Sequence, residues 1–249
     1  MTTAVRSPLG AALGVLLAVI SLTGPASAVL LAVAVAVLAV MIAVGWPDLA
    51  DLDSPRGTRT VVIGTGVLAS LAALSTAGNQ DPFAALATVC AAGVFAAFVH
   101  QMLRRDRRGL TASLTATIAG MLLAGLGSTW VIAGQIAEAT GTGTVVTATA
   151  IGLAVTGLIA ATDLPGIVRV LGGAVLGGGV TTLLVATLTS FGVLAGLAIG
   201  VPAAVGAMGV AILLQSSLIS REPGPSLTVA AAPAATVGMV ALLAVTVLG

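Results

Sequence analysis

The feature that most limits how this chain can fold is a succession of long apolar runs separated by short polar turns. Most runs hold about 17 to 28 residues, which matches the roughly 20 residues that an α-helix needs to cross the hydrocarbon core of a bilayer. Only 7% of the residues are charged, whereas soluble domains carry about 25%. Because lipid offers the backbone no hydrogen-bond partners, the runs are expected to be helical. The sequence therefore predicts an all-α fold, a polytopic integral membrane helix bundle that forms a single transmembrane domain over residues 1–249.

We predict about nine transmembrane helices. The first run has a second interpretation, because Arg6, a short apolar stretch and the ending Ala26-Ser27-Ala28 also outline a secretory signal peptide. We favour a retained helix because another spanning run follows immediately. In chain order, the predicted spans cover residues 9–23, 28–44, 61–76, 83–103, 110–134, 144–161, 167–188, 191–218 and 227–249.

The arginine distribution predicts the orientation of the bundle. The densest charge is the turn Arg104-Arg105-Asp106-Arg107-Arg108 between two predicted spans. With nine spans and a cytoplasmic N-terminus, all nine basic residues fall in cytoplasmic segments, whereas the outer turns contain Asp81 and Glu138. This is the positive-inside pattern, so we expect the N-terminus in the cytoplasm and the C-terminus outside. All the basic residues are arginine and the chain is rich in alanine, glycine and valine, which is typical of GC-rich coding; we expect a multi-pass protein of a bacterial plasma (inner) membrane.

Similar segments about 110 to 118 residues apart suggest an internal duplication. They predict a 4+4+1 parallel arrangement with repeat units 1–104 and 105–218 and a closing helix 225–249. Chance similarity within a small amino-acid alphabet is the alternative. The matched features are Pro55 and Arg59 before span three with Pro165 and Arg169 before span seven, and Gly120-Met121 in span five with Gly238-Met239 in span nine.

Basic side chains at the cytoplasmic helix ends form the candidate ligand site. Arginine can hold a phosphate or carboxylate with paired donors, and the only histidine lies about one turn before the arginine-rich turn. We therefore expect contacts with an anionic ligand or a lipid headgroup. The alternative is that the arginines only fix the topology and that the histidine is an interfacial polar residue. The candidate residues are Arg59, His100, Arg104, Arg105 and Arg169.

The sequence contains no motif that points to catalysis, nucleotide binding or a cofactor. Asp48-x-x-Asp51 resembles the start of the Asp-x-x-Asp-Gly motif of the alcohol phosphotransferases of phospholipid synthesis, but Leu52 stands where that motif has glycine and the later aspartates are missing. The single cysteine, Cys90, is interpreted as a small packed apolar side chain. We expect no enzyme activity, no metal, no cofactor and no nucleic-acid partner.

Glycine spacing predicts close helix packing in spans seven and eight. Gly192, Gly196 and Gly200 recur every four residues in span eight, and Gly173 and Gly177 lie in span seven. Glycine lets two helix backbones approach closely, which is a main source of helix association in lipid. We expect these faces to pack against neighbouring helices and to support a homo- or hetero-oligomer.

The two tryptophans, Trp46 and Trp130, lie near predicted span ends on opposite sides of the membrane. Indole rings concentrate at the level of the lipid headgroups because they combine an apolar ring with one N–H donor. We therefore expect both residues to be interfacial anchors.

Three classes of function are compatible with these features. We favour a transporter, or a protein that translocates lipid or an anionic solute, because the number of spans, the suggested duplication and the glycine- and proline-containing spans are typical of transporters. The alternative is a non-catalytic membrane subunit or scaffold, favoured by the scarcity of charge inside the spans and by the short turns. An integral lipid-modifying enzyme ranks third. Membrane lipids are expected partners in every case.

Overall fold

The structure is a computed structural model that describes residues 9–23, 27–52, 55–75, 82–104, 109–215 and 223–249. Within these ranges the backbone forms α-helices and no β-strand, which confirms the predicted all-α class. The helices are α1 Leu9–Ser21, α2 Ser27–Leu49, α3 Pro55–Leu74, α4 Pro82–Leu103, α5 Leu110–Leu126, α6 Thr129–Thr140, α7 Gly143–Ala160, α8 Gly166–Leu188, α9 Gly192–Gln215 and α10 Pro223–Leu248.

Eight apolar helical segments in the described ranges are long enough to cross a membrane. Seven of them are the single helices α2, α3, α4, α7, α8, α9 and α10, and the eighth is the 31-residue segment Leu110–Thr140, which contains α5 and α6. Helix α1 is apolar but has only 13 residues, fewer than a full span needs. The architecture is that of a multi-pass membrane protein, whereas the count of nine spans, the orientation and the duplication stay predictions.

Several helices extend beyond the predicted spans. Helix α2 continues to Leu49 and α3 begins at Pro55, so little remains of the connection predicted between spans two and three. Proline also opens α4 and α10, because its fixed φ suits the first helical turn and its missing N–H is not needed there. The predicted connection 135–143 is wrong, since Gln135 and Glu138 lie inside α6. Helix α6 ends at Gly141, whose φ of 72° is a left-handed conformation that glycine adopts readily.

Predicted span five is interrupted between α5 and α6. The two intervening residues, Gly127 and Ser128, are buried. Their N–H groups donate to the carbonyl oxygens of Ala124 and Gly125 at 3.2 and 3.0 Å, the i→i−3 pattern of a tight turn. The Ser128 hydroxyl also donates to the Gly125 carbonyl at 2.7 Å. These bonds satisfy polar groups that a break in a lipid-embedded helix would otherwise leave without partners.

Helices α2 and α10 pack together at the centre of the bundle. Helices α3, α5 and α6 pack on one side of this pair, α7, α8 and α9 form the other side, and α1 packs against α7 and α10. The core consists largely of alanine, valine, leucine and isoleucine. Helix α4 lies at the edge: 11% of the residues in its most apolar stretch are buried, against 67% for the segment that contains α5 and α6.

Four of the five glycines expected to pack closely lie at contacts among α7, α8 and α9. A Cβ added at Gly173 would lie 2.7 Å from Met208 Sδ, and one added at Gly196 would lie 2.7 Å from the Thr182 carbonyl oxygen. Helices of this chain therefore occupy these glycine faces. The remaining pairs are Gly177 against Thr156 and Gly200 against Gly178.

The fifth glycine, Gly192, does not pack as predicted. It begins α9 with a φ of 79°, and a Cβ added there would meet nothing within 4 Å. This positive φ is accessible to glycine at low cost because glycine has no Cβ. Gly192 therefore turns the chain into α9, and the close contact of this face begins one helical turn later at Gly196.

Both tryptophan side chains contact a neighbouring helix of the bundle. Trp130 is fully buried, and its Nε1–H donates to the Ala234 carbonyl of α10 at 2.7 Å. Trp46 is half-buried, and its Nε1–H donates to the Ala116 carbonyl of α5 at 2.7 Å. The predicted role as an interfacial anchor is wrong for Trp130, because its side chain is fully buried within the bundle and cannot contact lipid headgroups.

The described arginines lie at one end of the bundle. The Arg59–Asp48 ion pair joins the start of α3 to the end of α2, and a Gln101–Ser113 hydrogen bond joins the end of α4 to the start of α5. The end of α7, which leads into α8, packs on the start of α1. The other basic residues, Arg6, Arg221 and those within 105–108, lie outside the described residues. The described ones are Arg56, Arg59, Arg104 and Arg169.

We expect the arginine end to face the cytoplasm. In a Cys90→Ala background, a cysteine at Gly109 should be protected from a membrane-impermeant maleimide in intact cells, because Gly109 is exposed at that end. A cysteine at Asn79, in the predicted outer turn and outside the described residues, should react. Inside-out vesicles provide the control, since both results should reverse. Labelling of position 109 but not of position 79 in intact cells would contradict the orientation.

Candidate functional site

Buried polar side chains lie along the contacts between α3, α4 and α5, here called the polar seam. Each of them is between 0 and 4% exposed. The residues nearest the arginine end are Gln101 and Ser113, and the others lie further into the bundle. The members are Thr58 and Thr65 on α3, Gln101 on α4, and Ser113 and Thr117 on α5.

The mouth of the polar seam is built around Gln101. Its amide Nε2 donates to Ser113 Oγ at 2.8 Å, and its Oε1 accepts a bond from Arg104 Nη1 at 3.0 Å. A buried amide is costly in lipid unless both of its ends are bonded. Arg104 follows the last residue of α4, where its charge also complements the carbonyl end of the helix. The Arg104–Gln101 hydrogen bond therefore holds one arginine next to the buried hydroxyl group of Ser113.

Hydroxyl groups continue the polar seam inward from this mouth. The Thr117 hydroxyl donates to the Ser113 carbonyl at 2.7 Å and lies 2.9 Å from the Thr58 hydroxyl. Because the Thr117 proton is directed to that carbonyl, Thr58 is the donor of the second bond. Thr65 lies two helical turns further along α3, beside Gly93 and the Met121 sulfur. At 1.5 Å per residue, Thr65 is about 15 Å from the start of α3, so the polar seam reaches the middle of this helix.

His100 packs on the outer side of this mouth. Its imidazole ring lies directly against Gly57 of α3, where any added Cβ would collide with it. The Nε2 atom is buried and has no hydrogen-bond partner among the described residues. The ring therefore has one hydrogen-bonding position that no described residue uses.

Arg59 lies near the mouth but is engaged by α2. Its Nη2 donates to Asp48 Oδ2 at 3.1 Å, and the two side chains are 37% and 40% exposed. Its Nε atom is buried without a hydrogen-bond partner among the described residues. An exposed single-contact pair of this kind is weak, so an incoming anion can compete with Asp48 for this guanidinium.

The structure brings together only part of the predicted anionic-ligand set. His100 and Arg104 lie at the mouth of the polar seam, and Arg59 lies beside it on the α2 side. Arg169 lies in the first turn of α8, which packs mainly against α7 and α9, and so belongs to the other side of the bundle. Arg105 lies outside the described residues. In the described part of the chain, no group of three or more His, Cys, Asp or Glu side chains lies together as metal ligands would.

The hydroxyl and amide residues of the polar seam were not among the predicted site residues. Prediction from charge draws attention to arginine and histidine, whereas serine and threonine are frequent in spanning helices. The spacing contains a usable signal: Ser113 and Thr117 are four residues apart and Thr58 and Thr65 seven apart, so each pair lies on one helix face. Two polar faces beside a glutamine at a helix end indicate a polar contact between helices.

No family model matches the chain, and neither a curated protein nor a solved structure matches it. Function therefore has to be argued from the geometry of the bundle.

Proposed function

We propose that this protein moves an anionic solute or lipid across a bacterial plasma membrane, with the arginine end as the point of binding and the polar seam as the path. The observation that carries the proposal is the buried hydrogen-bonded network that leads inward from Arg104 to Thr58, with Thr65 two helical turns further along α3. Polar groups are costly inside a membrane and commonly mark a substrate pathway when they face the bundle interior. Arg104 supplies paired donors to an anion at the mouth.

The hydrogen bonds of the polar seam suit a path that opens and closes. In the closed bundle its hydroxyl groups bond to one another or to the carbonyl four residues back in their own helix. Bonds between helices in a membrane are modest, averaging about 0.6 kcal/mol. A polar solute can therefore replace them at low cost, because it offers oxygen atoms to the same donors.

The interruption between α5 and α6 gives further support. Discontinuous spanning helices are typical of transporters, in which they form or flank the substrate site. Here the break at Gly127 and Ser128 is buried and held by its own hydrogen bonds. Helix α5, which carries Ser113 and Thr117, can therefore change its angle to α6 at Gly127 and Ser128.

We expect Thr117→Val to slow transport about 2- to 10-fold, the loss that one hydrogen bond of about 0.5–1.5 kcal/mol accounts for. The purified protein would be reconstituted in phosphatidylcholine vesicles that contain fluorescent phosphatidylglycerol or trapped radioactive inorganic phosphate. Lipid movement is measured as the loss of fluorescence when dithionite reduces labelled lipid that has reached the outer leaflet, and solute movement is measured as the release of trapped phosphate.

Thr187→Val is the matched control. Its hydroxyl makes the same bond to the carbonyl four residues back, at 2.7 Å, but it is exposed on α8. It should leave both rates unchanged, and neither variant should alter the free energy of unfolding by more than about 0.6 kcal/mol. Wild-type protein that moves neither probe faster than protein-free vesicles would refute the proposed function.

A second candidate function is a non-catalytic subunit or scaffold of a larger membrane complex. The outer face of α9 favours it: a Cβ added at Gly206 or Gly209 would meet nothing within 4 Å, and large apolar residues beside them, such as Val205 and Leu213, are exposed. This face could receive a second copy or another integral protein. Co-purification of a stoichiometric partner, together with absence of transport, would favour this function.

A further inference from the structure

We propose that α4 is a lateral gate and that the solute is an amphiphile with an anionic phosphate headgroup, which enters the polar seam sideways from the lipid. This inference rests on the proposed function and specifies its substrate class. The headgroup would occupy the polar seam while its acyl chains remain in the bilayer beside α4.

Helix α4 is the wall of the polar seam that is least attached. It packs against α3 and α5 and makes no more than marginal contact with any other described helix. Its outer face exposes large apolar side chains, as expected of a helix bordered by lipid. These side chains are Phe95, Phe98, Val99, Met102 and Leu103.

The contacts that hold α4 involve small and polar groups more than large apolar side chains. Glycine provides one side of three of them: Gly57 against His100, Gly93 against Thr65, and Gly125 against Cys90. A polar contact between Gln101 and Ser113 adds to them, Ala97 of α4 is fully buried, and Val94 packs against the edge of the core. The hydroxyl and amide groups at this contact can bond to a headgroup instead of to one another.

The same geometry favours a lipid over a free anion. On the side opposite α4, α3 and α5 pack against α2, whose facing residues Val35 and Ala39 are fully buried. The polar seam can therefore open by movement of α4, and that movement exposes it to the acyl-chain region. A headgroup arriving there passes Arg104 first, which presents the paired donors that phosphate accepts. Free phosphate has the same oxygen chemistry, but it would enter from water at Arg104 and would gain nothing from an opening beside α4.

A disulfide can lock α4 to α5 with one substitution. A Cβ added at Gly125 would lie 3.5 Å from Cys90 Sγ and would have no other contact within 4 Å, a separation from which a cysteine pair can reach disulfide geometry. Gly125→Cys would be reconstituted in phosphatidylcholine vesicles with fluorescent phosphatidylglycerol, oxidised, and then reduced in the same preparation. The absence of free thiols by maleimide mass tagging verifies the lock, and Gly125→Ser is the control that cannot form it.

We expect oxidation to reduce phosphatidylglycerol movement to the level of protein-free vesicles and reduction to restore it. A verified lock with an unchanged rate would overturn the gate while the proposed function stands. Wild-type protein that releases trapped phosphate but does not move phosphatidylglycerol would overturn the substrate class only. Wild-type protein that moves neither probe would overturn both this inference and the proposed function.

A wedge at Gly93 tests the gate without a crosslink. An added Cβ there would lie 2.9 Å from Met121 Sδ and 3.0 Å from Thr65 Cγ2, so Gly93→Ala should push α4 outward. We expect the phosphatidylglycerol rate to rise several-fold. Gly64→Ala, which meets nothing within 4 Å on α3, should leave the rate unchanged. A Gly93→Ala protein that melts like wild type and shows no rise would count against the gate.

Discussion

Gly196→Leu is expected to destabilise the bundle by about 1–3 kcal/mol or more, the range found when a well-packed core is overfilled. The Cβ alone would lie 2.7 Å from the Thr182 carbonyl oxygen and 2.8 Å from the Thr182 Cα. Both atoms belong to the backbone of α8, so no side-chain rotation can make room. The two helices would have to separate, and their contact would be lost along a face that also includes Gly178 and Gly200.

Gly206→Leu on the same helix is the matched control. Gly206 is exposed, and a Cβ added there meets nothing within 4 Å. The two variants change helix propensity and hydrophobicity equally, so a difference between them measures packing alone. Thermal unfolding in detergent should show a lower midpoint for Gly196→Leu and a midpoint near that of wild type for Gly206→Leu. Equal midpoints for Gly196→Leu and the parent would show that this contact does not form in the protein.

Hydropathy is sufficient to predict the helical class and most spans of this chain. Lipid makes length and apolarity the dominant constraints, and these are properties of a sequence read locally. The helix ends were harder to predict because proline at positions 55 and 223 extends helices into polar segments. The interruption at Gly127 was missed because Gly-Ser-Thr is also compatible with a continuous spanning helix.

The candidate site depends on contacts that a sequence does not display. Thr58 and Thr117 meet across 59 residues of chain, and nothing near either residue indicates the other. Charge correctly placed Arg104 at a helix end, but it gave no reason to separate Arg169 from Arg59. Whether Arg169 and Arg59 lie together depends on which helices are neighbours, and this follows from packing over the whole bundle.

Packing also accounts for the positions of the two tryptophan rings. In both cases the indole lies over a glycine, and its N–H donates to the carbonyl four residues before that glycine. Trp46 uses Ala116 and Gly120 of α5, and Trp130 uses Ala234 and Gly238 of α10. A glycine four residues on leaves the carbonyl reachable, since no Cβ covers it. These two glycines are also the pair that the suggested duplication matches.

Trp130→Ala should destabilise the protein by about 3–5 kcal/mol, as large aromatic deletions do in close-packed interiors. The Trp130 side chain has 0% accessible surface and is surrounded by protein alone, so lipid cannot fill the space that its removal leaves. The Ala234 carbonyl also loses the bond at 2.7 Å. Trp46→Ala should cost less, because the Trp46 side chain is only half-buried.

A double-mutant cycle with Gly238→Ala tests whether the indole and the glycine form one unit. The added methyl group would lie 2.6 Å from Trp130 Cδ1 and 2.6 Å from the Thr129 hydroxyl oxygen, so Gly238→Ala alone should destabilise by about 1–3 kcal/mol. Once the indole is removed, the methyl group has room on that side. The double variant should therefore lose less free energy of unfolding than the two single losses together, by about 0.5 kcal/mol or more. If the two single losses of free energy of unfolding simply add in the double variant, Trp130 does not lie over Gly238, and α6 and α10 pack through other residues.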